Sequence, residues 1–217
     1  MDPRLNQSGS TLIILPEYKP PVYDKSGVEL VTSSVRRFPP DCLDPKIHDA
    51  NLVQSILAKI EANHAGADAA LMLDKQGFVT ESHGAHVCIV NNGTVYTPKT
   101  EACQEGITRQ TVVDLCRDHD IPCEEKNISL TEVYRADEMF CTGTMGELAP
   151  VVEVDGRTIG DGEKGGDDPP FNLPVSGSYP GTWRADCWDG IVLKAFDVVH
   201  PSDPSRSTWQ KRNVYTE

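Results

Sequence analysis

No C-x-x-C pair occurs among the seven cysteines, at positions 42, 88, 103, 116, 123, 141 and 187. An odd count without that spacing argues for reduced thiols and against both a zinc site and a disulfide framework. No apolar run approaches the roughly 18 residues that a membrane helix needs. The opening MDPRLNQSGS lacks a basic stretch leading into an apolar one, so neither a span nor a secretory signal is read, and the expectation is a soluble, cytoplasmic chain. Without such a signal, the sequons at Asn6, Asn92 and Asn127 read as chance. Positive charge is scarce: 20 basic residues stand against 33 acidic ones, for a net charge of -13. So acidic a surface repels phosphate backbones and anionic lipid, which excludes nucleic acid and membrane as partners. Internal repeats and long charge runs are missing too.

What is present suits one sizeable domain, since 38% of the 217 residues are hydrophobic. TLIIL (11–15) and VELVTS (28–33) predict two strands around the Pro-rich EYKPPVYDKSG. In NLVQSILAKIEAN, Leu52, Ile56, Leu57 and Ile60 recur at helical spacing, with Ala65-Gly66 as the stop, so this stripe is expected to pack on a sheet. ALMLD, FVTES, HVCIVNN and TVYTP predict short strands, broken by Lys75-Gln76-Gly77 and the Asn92-Gly93 hairpin turn, and together suggest a meander. A helix over about 108–119, a strand near 123–128, a short helix near 130–136 and strands EMFCTG and PVVEV follow, ended by Asp155-Gly156. This order implies an α/β (α+β) domain with a curved mixed sheet and flanking helices. The chain divides into the residual end of a small domain with a linker and entry strands at 1–45, a large-domain core at 46–164 and a tail at 165–217. The tail is dense in Gly, Pro and Asp and predicts loop, with IVLKAFDVVH its sole candidate element.

Three local motifs carry candidate chemistry. EGITR (105–109) places a Gly before a helix N-terminus, where unpaired N–H groups and the helix dipole favour an anion. Taken alone it also reads as an ordinary helix capped by Thr108. TGTMGEL (142–148) puts two hydroxyls around a Gly at a strand end, an arrangement that can clamp a phosphate but is equally a strand running into a turn. Glu81 ends the apolar FVTE, where a carboxylate faces either a cleft that favours a positive partner or plain solvent. No metal site is read.

The motifs in their order resemble class IV (fold type IV) pyridoxal phosphate aminotransferases over roughly residues 9–162. The resemblance rests on ILAKIEA at 56–62, LMLD at 71–74, Glu81, YTP at 96–98, EGITR at 105–109, ADE at 136–138, TGTMGE at 142–147 and DGRTIGDG at 155–162. KPPVYD (19–24) and FPPDCLDP (38–45) further resemble branched-chain aminotransferase-like proteins. The resemblance implies a D-amino acid aminotransferase-like fold and pyridoxal 5′-phosphate as cofactor. It also implies transfer of an amino group from a branched-chain or similar hydrophobic amino acid to a 2-oxo acid such as 2-oxoglutarate, by a homodimer when full length. Glu81 is implied as partner of the cofactor's ring nitrogen, with Gly84 beside it. Ile107, Thr108 and Thr144 are implied as phosphate ligands, and Met145 and Gly146 as the turn that receives the substrate carboxylate.

The sequence also departs from the family. The Schiff-base lysine is expected three or four residues before Asn51, where His48 and Ile47 stand. Lys46 lies five back, on the same side as His48 in an extended chain and displaced by about 6.6 Å, so it is the candidate amine. Lys59, inside the helix, is the alternative and is expected to face solvent. SHGAH (82–86) replaces a small-residue stretch ending in Asn, and its His83 and His86 either tune the pocket or point outward. The chain begins where the family's small domain should end, and after DGEKG its text diverges. Two alternatives follow: a truncated noncatalytic relative, or a class IV lyase such as aminodeoxychorismate lyase.

Overall fold

A computed structural model describes residues 26–162, together with residues 14, 22 and 23. Apart from Ile14, the TLIIL strand lies outside the described residues, as does the 165–217 tail, IVLKAFDVVH included. The elements run β1 (Val28–Arg36), α1 (Val53–Ala65), β2 (Ala69–Leu73), β3 (Val79–Ser82), β4 (His86–Asn91), β5 (Thr94–Pro98), α2 (Ile107–Asp118), β6 (Cys123–Lys126), α3 (Leu130–Tyr134), β7 (Glu138–Gly143), β8 (Glu147–Val154) and β9 (Arg157–Thr158).

The strands form one mixed sheet in the order β3-β2-β1-β8-β7-β4-β5-β6, with β9 on β8. Each parallel pair between consecutive strands is joined through a helix, β1 to β2 by α1 and β5 to β6 by α2, as a crossover connection requires. The expected meander is therefore corrected. β2–β3 and β4–β5 are hairpins, but β4 leaves β3 and pairs with β7, because burying its apolar residues on both faces needs a central place. Its side chains alternate by period two. Val87 and Ile89 join the main core with Leu30, Leu71, Met139 and Val154, while Cys88 and Val90 pack under α2 with Val95, Val112, Cys116 and Phe140.

The Asn92-Gly93 turn has φ of 49° and 74°, the two positive values that the hairpin turn needs. Asp155-Gly156 repeats this geometry at 53° and 72°. It therefore folds β9 back on β8 where the sequence suggests only a strand end.

Helix α1 inverts the predicted packing. Ser55, Ala58 and Ala62 are its buried residues, and the two alanines pack on Ala70 and Met72. Leu52, Ile56, Leu57 and Ile60 face outward, 45% to 56% exposed. Small side chains let the helix axis lie close to the strands, and that close approach outweighs the burial that the larger stripe offers.

Candidate active site

One cavity of about 1340 Å³ opens where the β3–β4 turn, the head of α2, the β7–β8 turn and the loop before α1 converge. Lys46, Glu81, Gly84, Ile107, Thr108, Thr144, Met145 and Gly146, separated by up to a hundred residues in sequence, all line it.

Glu81 sits next to the end of β3 and is 6% exposed. Arg37 Nη2 lies 2.8 Å from its Oε1, and His86 Nε2 lies 3.6 Å from its Oε2. Burial pushes the Glu81 carboxyl up to about 7, against the pull of the Arg37 guanidinium. Arg37 also donates through Nη2 to Ser82 O at 3.2 Å and through Nη1 to Ser55 Oγ at 3.3 Å. Sequence reasoning missed Arg37, because a basic residue following a surface-like strand carries no mark of the acid it meets across the sheet.

At the other end, Gly106 is the N-cap of α2, with φ of 66° and no side-chain cap. This corrects Thr108 as cap: the helix already begins at Ile107, its first N–H groups have no partner within the helix, and Ile107 and Thr108 line the cavity. The head of α2 is fixed from below by Arg109, 2% exposed. Its Nε donates to Thr97 Oγ1 at 3.0 Å, and its Nη2 donates to Pro98 O at 2.9 Å and to Glu125 Oε2 at 2.8 Å. The last residue of EGITR is thus the bolt that orients the first ones.

The turn joining β7 to β8 forms a third wall, with Thr144 and Met145 exposed to the cavity. Val22 N donates to Met145 O at 3.0 Å. A Cβ on Gly146 would come within 2.8 Å of Tyr23 Cδ2, so the glycine makes room for the tyrosine. The Tyr23 hydroxyl lies 3.4 Å from Ser82 Oγ, and burial pushes the phenol up to about 12. Thr142 is fully buried, lines the cavity and has no partner for its Oγ1.

Residues 44–49 do not run extended, which corrects the placement expected for Lys46. Ile47 N donates to Asp44 O and Asp49 N to Ile47 O, both at 3.0 Å, so the stretch is a chain of turns. Lys46 and His48 nevertheless both line the cavity and are both exposed. Lys46 Nζ stands 3.8 Å from Asp44 Oδ1. Lys59, expected to face solvent, is instead part-buried and donates from Nζ to Asp68 O. The outward alternative for the two histidines is likewise corrected. Both line the cavity; His83 Nδ1 accepts from Ala70 N at 3.3 Å, and burial brings that imidazole down to about 4.

A buried acid at one end and a helix N-terminus without a side-chain cap at the other suit a ligand with a basic ring nitrogen and a phosphate. This cavity, framed by a curled mixed sheet, defines a class that comparison with known proteins identifies. The family model described as "Amino-transferase class IV" matches residues 2–154, and the chain belongs to that family. It is 51% identical over 205 residues to "Branched-chain-amino-acid aminotransferase-like protein 2" of Arabidopsis thaliana, covering 94% of this chain and 35% of that one. To the "Putative branched-chain-amino-acid aminotransferase" of Methanocaldococcus jannaschii it is 43% identical, covering 67% and 51%. A T.th. branched-chain amino acid aminotransferase, solved with N-(5′-phosphopyridoxyl)-L-glutamate, superposes with a TM-score of 0.63 at 39% identity, over 65% of this chain and 48% of that one. The same enzyme with pyridoxamine 5′-phosphate gives 0.64 at 32% identity, over 87% and 56%. The chain thus spans between a third and about half of the length of these curated relatives. Among the described residues, no helix is long and apolar enough to cross a membrane.

Proposed function

We propose that this chain carries the cofactor-binding part of a pyridoxal 5′-phosphate-dependent aminotransferase, acting on a branched-chain or similar hydrophobic amino acid and a 2-oxo acid such as 2-oxoglutarate. The observation that carries this reading is a cavity among the described residues with a buried carboxyl group at one end and the head of α2, without a side-chain cap, at the other. The cofactor, when bound, supplies an electron-accepting ring that lets the α-proton of an amino acid leave. Glu81 holds the ring nitrogen's proton in place by its charge, with Gly84 beside it leaving room for the ring. The N–H groups of Ile107 and Thr108 and the hydroxyl of Thr144 bind the phosphate. The turn at Met145 and Gly146 takes the substrate carboxylate. Lys46 is the amine that attaches the cofactor and moves the α-proton. Two copies associate in the working protein, and the apolar outer face of α1 supports that pairing.

Borohydride reduction of protein mixed with pyridoxal 5′-phosphate, followed by peptide mapping, tests the assignment. The label is expected on the peptide containing Lys46, and Lys46→Ala should abolish both labelling and exchange of an amino acid's α-hydrogen. A second reading, a noncatalytic relative, is favoured by one observation: His48 stands on the cavity wall where the family's amine is expected. Label on Lys59 or on no lysine would establish that second reading.

A further inference from the structure

We propose that His86 is a positioning residue that fixes the distance between the acid and the anion-binding head of α2, so that the two ends of a ligand are recognised as one unit. The proposal rests on the functional reading above and names a residue to which that reading gives no part.

Three contacts meet on this imidazole. Its Nε2 lies 2.8 Å from Gln104 O, and because a carbonyl only accepts, Nε2 carries the hydrogen and donates. The same nitrogen is 3.6 Å from Glu81 Oε2, within the reach of charge but beyond a hydrogen bond. The ring edge rests on Gly106: a Cβ there would lie 2.3 Å from Cε1 and 2.7 Å from Nδ1. One side chain therefore meets the acid, the loop that leads into α2 and the N-cap itself. Burial lowers the imidazole pKa, against the pull of the Gln104 carbonyl, and Nε2 turns its N–H toward the carbonyl while lying next to the Glu81 carboxyl.

The placement follows from the sheet. His86 pairs directly with Thr142 across β4 and β7, so both side chains project to the same face. That face is the cavity floor, since both residues line it. Thr142, fully buried and with no partner for its hydroxyl, lies beside His86 in that floor. A residue that served only to fill space would leave no reason for Nε2 to face both Gln104 O and Glu81 Oε2.

Two substitutions separate the ring from its hydrogen. His86→Phe keeps a ring against Gly106 and removes the N–H; His86→Gln restores an N–H donor without the ring. Binding of pyridoxamine 5′-phosphate, which needs no amine from the protein, is read by fluorescence titration alongside Glu81→Gln and the double variant. His86→Phe is expected to weaken binding at least tenfold, and His86→Gln to recover most of the loss. Glu81→Gln should cost little further in the His86→Phe background, because the acid is then no longer held in register with α2. Hydrogen exchange of the ligand-free protein should also quicken in the 104–108 peptide of His86→Phe and nowhere else. Wild-type affinity in His86→Phe, or losses that simply multiply in the double variant, overturns the proposal. Failure of the wild-type chain to bind pyridoxamine 5′-phosphate would instead sink the functional reading. In that case unchanged exchange at 104–108 overturns the positioning role and quickened exchange upholds it.

Discussion

At the scale of single residues, Glu81 is a nearly buried acid that lines the cavity. Its folded-state pKa of about 7 lies above the ordinary 4.5. The stability it contributes is thus fully present below the unfolded value and is lost as pH rises through about 7. The unfolding free energy of the wild type minus that of Glu81→Gln is expected to fall by about 3 kcal/mol between pH 4 and 8, an order-of-magnitude figure from a shift of this size. Denaturant melts across that range check it, and a flat difference rules it out. On the functional reading, the same substitution should slow the transamination half-reaction by orders of magnitude even at cofactor concentrations that saturate the variant, and unchanged turnover would refute the role. Thr144 belongs at this scale as well. Thr144→Val should weaken cofactor binding by about 1 to 3 kcal/mol, the range for a charged acceptor left one hydrogen bond short, as equilibrium dialysis would measure.

Helix α1 shows how an element's packing face is decided by partners and not by its own apolar pattern. Ala58 and Ala62 are fully buried against Ala70 and Met72, so there is no space for a larger group. Ala62→Leu should destabilise the fold by about 1 to 3 kcal/mol, as overpacking of a tight contact does. Leu57→Glu on the outer face, where the residue is 47% exposed, should leave a thermal midpoint measured at low protein concentration nearly unchanged. If Leu57→Glu were the costlier of the two, the packing of α1 described above would be wrong. Helix α2 depends likewise on what lies beneath it, since the Arg109 contacts to Thr97 and Pro98 fix the direction in which its N-terminus points.

For the whole molecule, one sheet brings β3, β4 and β7 to a common cavity and leaves α1 on the outside. Leu52, Ile56 and Ile60 lie on one ridge of that helix at a spacing of four, beside a second ridge of Val53 and Leu57, all exposed. Two copies of such a face interlock when ridges of this spacing cross one another. Sedimentation equilibrium is expected to give twice the chain mass, and Ile56→Lys together with Ile60→Lys should halve it. A wild-type monomer would assign the face to something other than a second copy.

The sequence by itself determined the local elements, because period-two strands and the Asn92-Gly93 turn depend on neighbours a few residues away. It also determined the family, because ordered motifs such as EGITR and TGTMGE survive as text. It could not show that β4 would leave β3 for β7, that α1 would bury alanines under its larger residues, or that Glu81 would meet Arg37 and His86. Those outcomes depend on which surfaces come together over long separations, and on whether close approach or added apolar area stabilises more. Only the folded sheet, by setting His86 opposite Thr142 and beneath Gly106, turned separate motifs into one cavity.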